Sequence, residues 1–531
     1  MTNGIVCALQ VQGAVGLRVD LTRGWPRLMG KQMRLVVFHY HDRPGGVRQV
    51  ISRGLPLLLP CFGRVNEVVL LLGEMTDPAW VESLEASLNG VPMRLVVLGD
   101  LSYLSGGPAV LGKETCQRVL ELLSAPDSLV WAHNLSVGRN LPLLRFLPDA
   151  CAAAGARLWL HHHDWWWDGR WARWQDWLAT GVCCLEEALE YSLPPGPHIR
   201  HWCVNRADLP WVQLRAGAAA QWVGNPLPDM IPPTSAEVRQ ATAWLREKTR
   251  GREVWMAPVR ALRRKNLAES LLLVMARKDK DLCLVTTGGP SSPAEFPAWE
   301  KLCREAVRQH WPLVPAVLGG WSPASNPAGL SKASQPSIAA LMAASGVVVL
   351  TSLQEGFGLP WLEAAALEKP LISRALPDMT GNFAPLGCAI PPGYESLPVP
   401  LGALDARAES DRLHERYDRL APLLPDEIKI FTPKCDPAEF RDFGKLSGEA
   451  QLQVLRQGKF SDFAPIQPAV PVWPVERRID AWVDRFFNSP LPMDGQLHIV
   501  PDAETVRPAG PLLTEVRRRH LSWLEHPLLW P

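Results

Sequence analysis

Tyrosine is scarce in this sequence, with 5 in 531 residues against 23 tryptophans, and charge excess, paired-cysteine motifs and long apolar runs are missing altogether. Each lack removes a class of protein. Lys and Arg number 55 and Asp and Glu 54, so no overall field draws the chain to nucleic acid or an acidic membrane. Any anion site has to be local. The 11 cysteines are scattered, with only Cys183 and Cys184 adjacent, and none forms a Cys-x-x-Cys pair. That pattern argues against a thiolate zinc or redox centre and fits reduced thiols in a cytoplasm. Residues 1–32 lack the charged start, apolar run and small-residue cleavage site of a secretory signal, and no 18-residue apolar stretch follows. A cytoplasmic chain with no transmembrane segment and no nucleic-acid partner is expected.

What is present is an ordinary globular composition, 47% hydrophobic and 21% charged, over a length too great for one core. At roughly 150 residues per domain it suggests two large domains and an appendage. From Met33 onward, short apolar runs alternate with Gly-rich or polar corners and helical stretches, the pattern of βαβ units. Strands are expected at 34–38, 67–72, 94–98, 129–132, 157–160 and 181–185, then at 253–257, 282–286, 314–318, 346–351 and 370–373. Their runs rarely alternate apolar with polar, as suits parallel strands covered on both faces. Between the two series Pro226, Pro228, Pro232 and Pro233 mark a linker. The expected organisation is an extension over 1–32, a Rossmann-like domain over 33–228, a second over 229–400, and a mainly helical tail over 401–531 packing on the domains. No repeat of solenoid period is present. The tryptophan excess reads first as buried packing and only second as sugar stacking.

The most informative segment follows the strand ending at Thr351 and runs Ser352-Leu353-Gln354-Glu355-Gly356-Phe357-Gly358-Leu359-Pro360, leading into a helix that carries Glu363. Pro360 suits a first helical turn, where its missing N–H would be unpaired anyway, so Gly356 to Leu359 lie where free N–H groups attract anions and hydroxyls. The two glycines permit close approach of backbone to a ligand, and the Glu363 side chain leans back toward the helix start. Two carboxylates thus address one ligand. A second cluster follows the strand 253–257, where Arg260, Arg263, Arg264 and Lys265 place four cations within six residues. At the carboxyl end of a parallel strand such a cluster can hold a diphosphate without a metal. Taken alone it would read as a solvated basic turn. Gly288, in Thr286-Thr287-Gly288-Gly289-Pro290, is a further candidate for the same pocket.

The spacing Glu355-x7-Glu363 within Glu-Gly-Phe-Gly-Leu-Pro resembles the signature of family 4 (glycosyl transferases group 1) of the retaining glycosyltransferases with the two-Rossmann GT-B fold. The resemblance covers most of residues 33–400. It implies an α/β fold of two Rossmann-like domains facing a central cleft, and transfer of a hexose from a UDP- or GDP-sugar to an acceptor hydroxyl with retention at the anomeric carbon. It implies that Glu355 and the amides of Gly356, Phe357, Gly358 and Leu359 engage the transferred sugar, and that Glu363 holds the ribose hydroxyls. Arg260 and Lys265 match the family's Arg and Lys pair at the diphosphate. No metal and no other cofactor is expected. An unidentified acceptor is expected, a small molecule, a glycan or a lipid-linked molecule.

The first strand leads into His39-Tyr40-His41-Asp42-Arg43-Pro44-Gly45-Gly46, and Gly45 and Gly46 resemble the family's amino-terminal glycine loop. The Gly-x-Gly-x-x-Gly fingerprint of a dinucleotide-binding dehydrogenase is absent. The strand 157–160 runs into His161-His162-His163-Asp164 and Trp165 to Trp167. Strand alternation puts His161 and His163 on one face and His162 on the other. His163 and Asp164 read as catalytic cleft residues, resembling a family histidine near the anomeric centre; packing and metal binding remain open, although consecutive residues do not easily reach one ion. His133, Asn134 and Asn140 are candidates for an acceptor pocket. The Asp279-Lys280-Asp281 triplet imitates a metal-binding Asp-x-Asp but sits in a charge run before a strand, as solvated surface does. A glycoside hydrolase would use two carboxylates without needing the cations. The rival readings are a retaining phosphorylase on the same fold, a binder of nucleotide-sugars without turnover, and a metal hydrolase on the histidines.

Overall fold

The computed structural model describes residues 33–43, 45–62, 65–104, 110–226, 232–277, 280–290, 293–319, 335–400, 402, 404–429, 440–458, 466–472, 482 and 512–517. The chain divides into two compact units, one of Met1–Trp165, Asp176–Leu227 and Val475–Leu513, the other of Trp166–Gln175, Pro228–Pro474 and Thr514–Pro531. Extension 1–32, linker residues 227–231, Pro44 and Asp279 lie outside the described residues.

The first unit is built on a seven-stranded sheet of β1 (Met33–His41), β2 (Val65–Glu74), β3 (Met93–Val97), β4 (Ser128–His133), β5 (Arg157–His162), β6 (Ile199–Cys203) and β7 (Ala220–Trp222). The strand order is β3-β2-β1-β4-β5-β6-β7 with every pairing parallel. Order reverses between β1 and β4, which opens the crevice where α/β sheets bind ligands. The expected strand at 181–185 does not form. Gly181 takes a φ of 85°, and the helix Leu185–Ser192 begins instead, burying Leu185, Ala188, Leu189 and Ser192 at helical spacing. The apolar run Val182 to Leu185 was too short to tell strand from helix, and three acids within the next five residues favoured the helix. β6 escaped the sequence reading because Arg200 and His201 interrupt its apolar character. One face of this sheet is cored by Val37, Leu70, Trp131, Trp159 and Trp202, with Ile51 and Leu55 from the helix Gly46–Leu58. Trp482 from the tail is fully buried in the same core.

The second unit carries β8 (Glu253–Arg260), β9 (Leu282–Gly288), β10 (Leu313–Val314), β11 (Val347–Leu350) and β12 (Leu371–Ser373), in the order β10-β9-β8-β11-β12, again parallel. Here the order reverses between β8 and β11. β10 is two residues long rather than the expected five, because Ala316 and Gly319 turn the chain at φ 47° and 99°. The helix Ser235–Thr249 opens on a capping box of Thr234 and Glu237. A small antiparallel pair, β13 (Pro398–Pro400) and β14 (Phe440–Asp442), joins the tail to this unit. Arg374 at the end of β12 is buried and forms ion pairs with Glu269 at 2.7 Å and Asp442 at 2.8 Å. Arg374 is thus a strut of the fold. The protein is thus an α/β chain of two Rossmann-like units. Among the described residues no helix is long and apolar enough to cross a membrane.

Candidate functional site

In the second unit the two sequence motifs meet, because β8 and β11 are adjacent. The loops leaving their carboxyl ends are tied together. The Leu353 amide donates to the Arg264 carbonyl at 2.8 Å, and Thr351 Oγ1 lies 3.1 and 3.0 Å from the carbonyls of Lys265 and Asn266. After β8 the chain makes one tight turn, Arg263–Lys265, closed by Asn266 in the left-handed region at φ 52°. Asparagine tolerates that conformation, and its amide donates to Glu269 at 2.8 Å. The turn directs Lys265 inward and leaves Arg260 exposed.

Lys265 Nζ donates to Glu355 Oε1. Arg264 Nη1 donates to Glu355 Oε2 at 3.2 Å and to the Gln354 carbonyl at 3.0 Å, and Ser352 Oγ donates to Glu355 Oε1 at 2.6 Å. Glu355 and Lys265 side chains are only 7% and 10% exposed, so little water competes for them. Burial by itself would raise the Glu355 pKa, but Lys265 and Arg264 outweigh it and hold the carboxyl below its ordinary range. Burial lowers Lys265 to about 8 against the opposing pull of Glu355. Both groups are charged at neutral pH. Removing either partner of such a buried pair strands the other, at a cost of about 3–5 kcal/mol.

Glu355 is followed by Gly356 and Phe357, and the helix Leu359–Ala366 starts from Gly358, which sits at φ 80°. Its N-terminal amides therefore open beside the Glu355 pair. Glu363, the fifth residue of that helix, is half-buried. Gly288 pairs with Arg260 across β8 and β9. The structure thus gathers Arg260, Lys265, Gly288, Glu355, Gly356, Phe357, Gly358, Leu359 and Glu363 around the carboxyl ends of three strands of one unit. Arg264 and Ser352 were not singled out beforehand. Arg264 stood within the cation cluster, but which cation faces Glu355 depends on the turn at Asn266.

In the first unit, histidines collect at the carboxyl ends of β4 and β5. His133 and His161 are paired across the two strands, and His133 Nδ1 lies 3.1 Å from His163 Nε2. His133 and His161 are fully buried, and burial lowers the pKa of each, His163 to about 4, so all three rings are neutral at pH 7. Asn134 donates to Asp164 Oδ2 at 3.3 Å and accepts from the Asp164 amide at 2.9 Å. Asn140 is buried, and its amide donates to the carbonyls of Asp100 and Ser102 at 2.7 and 2.9 Å while its oxygen accepts from Leu143. As a helix cap and loop tie, Asn140 offers no group to an acceptor. Gly45 is extended at φ 176° and heads the helix Gly46–Leu58, and a side chain on Gly46 would meet nothing within 4 Å. Bare backbone is therefore what these glycines supply, without a conformational need for glycine.

No family model matches the chain, and no curated protein does. Among solved structures it is similar to HepE of Anabaena in complex with UDP and glucose, at 16% identity and a TM-score of 0.43, over 65% of this chain and 81% of that one. A glycosyltransferase from Rickettsia africae is matched at 10% identity and a TM-score of 0.42, over 94% and 99%. A UDP-forming trehalose-phosphate synthase from Burkholderia xenovorans is matched at 15% and 0.42, over 67% and 86%.

Proposed function

We propose that the chain is a glycosyltransferase whose second unit binds a nucleotide-sugar and releases the nucleoside diphosphate as leaving group. One observation carries this reading: Glu355 is held by Lys265 and Arg264 at the switch point of a parallel sheet, beside the open N-terminus of the helix Leu359–Ala366. Two cations, with exposed Arg260 on the rim, and a row of backbone amides form a seat for two linked phosphates. An incoming diphosphate competes with Glu355 for Lys265. That exchange frees the carboxylate to accept hydrogen bonds from sugar hydroxyls, while Glu363 takes the ribose. Cleavage of the bond between the anomeric carbon and phosphate oxygen leaves its electron pair on the phosphate, where these fixed positive groups stabilise the growing charge. The acceptor hydroxyl forms the new bond and gives up its proton. Attack from the face that the leaving group vacates retains configuration, as the resemblance to the retaining family implies. Cations of the chain supply the charge that a metal provides elsewhere, so diphosphate binding is metal-independent.

Isothermal titration with UDP, GDP and their glucose and mannose conjugates, in the presence of chelator, tests this. One nucleotide should bind, and its sugar conjugate should release free diphosphate when acceptor candidates are added. Lys265→Ala should weaken diphosphate binding by about 3 kcal/mol, on the scale of a charge-assisted contact. Glu355→Gln should leave nucleotide affinity within a factor of a few but abolish transfer. Unchanged transfer in both variants refutes the assignment; turnover of sugar-1-phosphate without any response to nucleotides assigns a phosphorylase instead.

A further inference from the structure

The donor seat draws on residues of the second unit; in the first unit, the polar atoms of the histidine cluster are poorly accounted for. Among the described residues, His161 is fully buried with neither ring nitrogen hydrogen-bonded, and the second ring nitrogen of His133, Nε2, is likewise without a partner. The Gly224 backbone stands near His161 without meeting hydrogen-bond geometry. A neutral imidazole always carries one N–H, so His161 buries at least one unsatisfied donor, which costs stability. On the opposite face of β5 the contrast is direct. There His162 Nε2 lies 3.0 Å from His201 Nδ1, and His201 Nε2 reaches the Pro194 carbonyl at 2.9 Å. That pair leaves only His162 Nδ1 without a partner, whereas His161 has neither ring nitrogen hydrogen-bonded.

We propose that His133, His161 and His163 form a binding site for one divalent transition-metal ion of the zinc type. One ring nitrogen from each lies within 4.8 Å of the others. Nitrogens on a common tetrahedral zinc stand roughly 3.3 Å apart, given bonds of about 2.0–2.1 Å. His133 Nδ1 and His163 Nε2, at 3.1 Å, are already at that spacing, and rotation of the His161 ring about its soft terminal torsion closes the rest. Adjacent parallel strands supply the geometry: the His133 and His161 register pair brings two ligands level, and His163, two residues on and just past the end of β5, adds the third. Trp131, packed 4.3 Å from His133 and 6.0 Å from His161 between ring centroids, gives an apolar floor. His163 is half-buried, and three histidines leave a fourth tetrahedral position for a solvent or substrate ligand. Asp164, whose charge acts on His163, offsets the cation. The proposal does not rest on the sugar-transfer reading, since the ion would bind with or without a donor in the other unit.

The test uses the full chain, stripped with chelator and titrated with cobalt(II) under anaerobic conditions. The expected result is one equivalent of cobalt with the visible absorption of a four- or five-coordinate nitrogen site, displaced by zinc(II), together with a rise in Tm on zinc addition. His161→Phe, which replaces the unsatisfied nitrogens with a slightly larger apolar ring, should fold with a metal-free Tm near or above the parent's and lose more than about 100-fold in cobalt affinity, beyond the loss of an outer partner. Should that variant not fold, His163→Ala on the half-buried rim reads out the same loss. A cobalt spectrum dominated by thiolate charge transfer, from exposed Cys183 and Cys184, overturns the site. So does the absence of any band at one equivalent, or a band that survives both substitutions.

Discussion

An ammonium sunk beside a carboxylate answers to pH differently in folding and in binding, and Lys265 shows both. Its folded pKa of about 8 lies below the 10.5 of an unburied lysine. Between those values the unfolded chain holds a proton that the folded chain has released, so this group makes folding more favourable as pH climbs from 8 toward 10.5. Donor binding runs the other way. A diphosphate binds the charged form, so UDP affinity should be level below pH 8 and fall by up to tenfold per pH unit above it. The Lys265→Arg variant, whose guanidinium stays charged, should hold its affinity through that range. Titration calorimetry from pH 6.5 to about 9.5 checks this, and parallel pH profiles for the two proteins would remove Lys265 from the anion seat. At this scale much was legible. Glu355, Glu363 and the cations announced themselves by type and spacing, while Ser352 and the inward turn of Lys265 did not, because side-chain direction is set by Asn266 and its contacts with Glu269 and Gln451.

Helix Leu359–Ala366 brings its open end to the site only because Gly358 allows the turn that precedes it. A Cβ there would stand 2.4 Å from Met379 Sδ and 2.9 Å from Phe383 Cζ, in a conformation at φ 80° that alanine adopts reluctantly. Gly358→Ala should cost about 2–4 kcal/mol in stability from backbone strain and overpacking together. It should also weaken nucleotide binding, as the helix start shifts away from Lys265 and Glu355. Thermal unfolding and calorimetry on the variant decide the matter; native Tm with native affinity would mean that the helix start does not need its left-handed glycine. Gly46 is the contrasting case, with space around it and an ordinary backbone. Among elements, long apolar runs such as Val68 to Leu72 declared their strands, whereas β6, β7 and the helix Leu185–Ser192 were hidden or misread. Short runs with mixed polarity do not reveal their period, and neighbouring strands decide it.

Across the whole molecule, sequence order and spatial order part company in the tail. Trp482 fills the core of the amino-terminal unit beside Gly54 and Trp131, while Asp442 grips Arg374 in the second unit. Trp482→Ala should remove about 3–5 kcal/mol from the first unit through the cavity it leaves. Hydrogen exchange should then show lost protection in β1 and β4, with nucleotide affinity in the second unit kept; unaltered protection there would show that the tryptophan does not support that core.

Two Rossmann-like units, the cation cluster and the two-glutamate loop follow from the sequence alone, because hydrophobic period and local spacing act over a few residues. Tertiary structure decided which cations face Glu355, that Asn140 and Arg374 serve the fold, and that His133 joins His161 and His163. These depend on strands adjacent in space but far apart along the chain, and no local pattern encodes that adjacency.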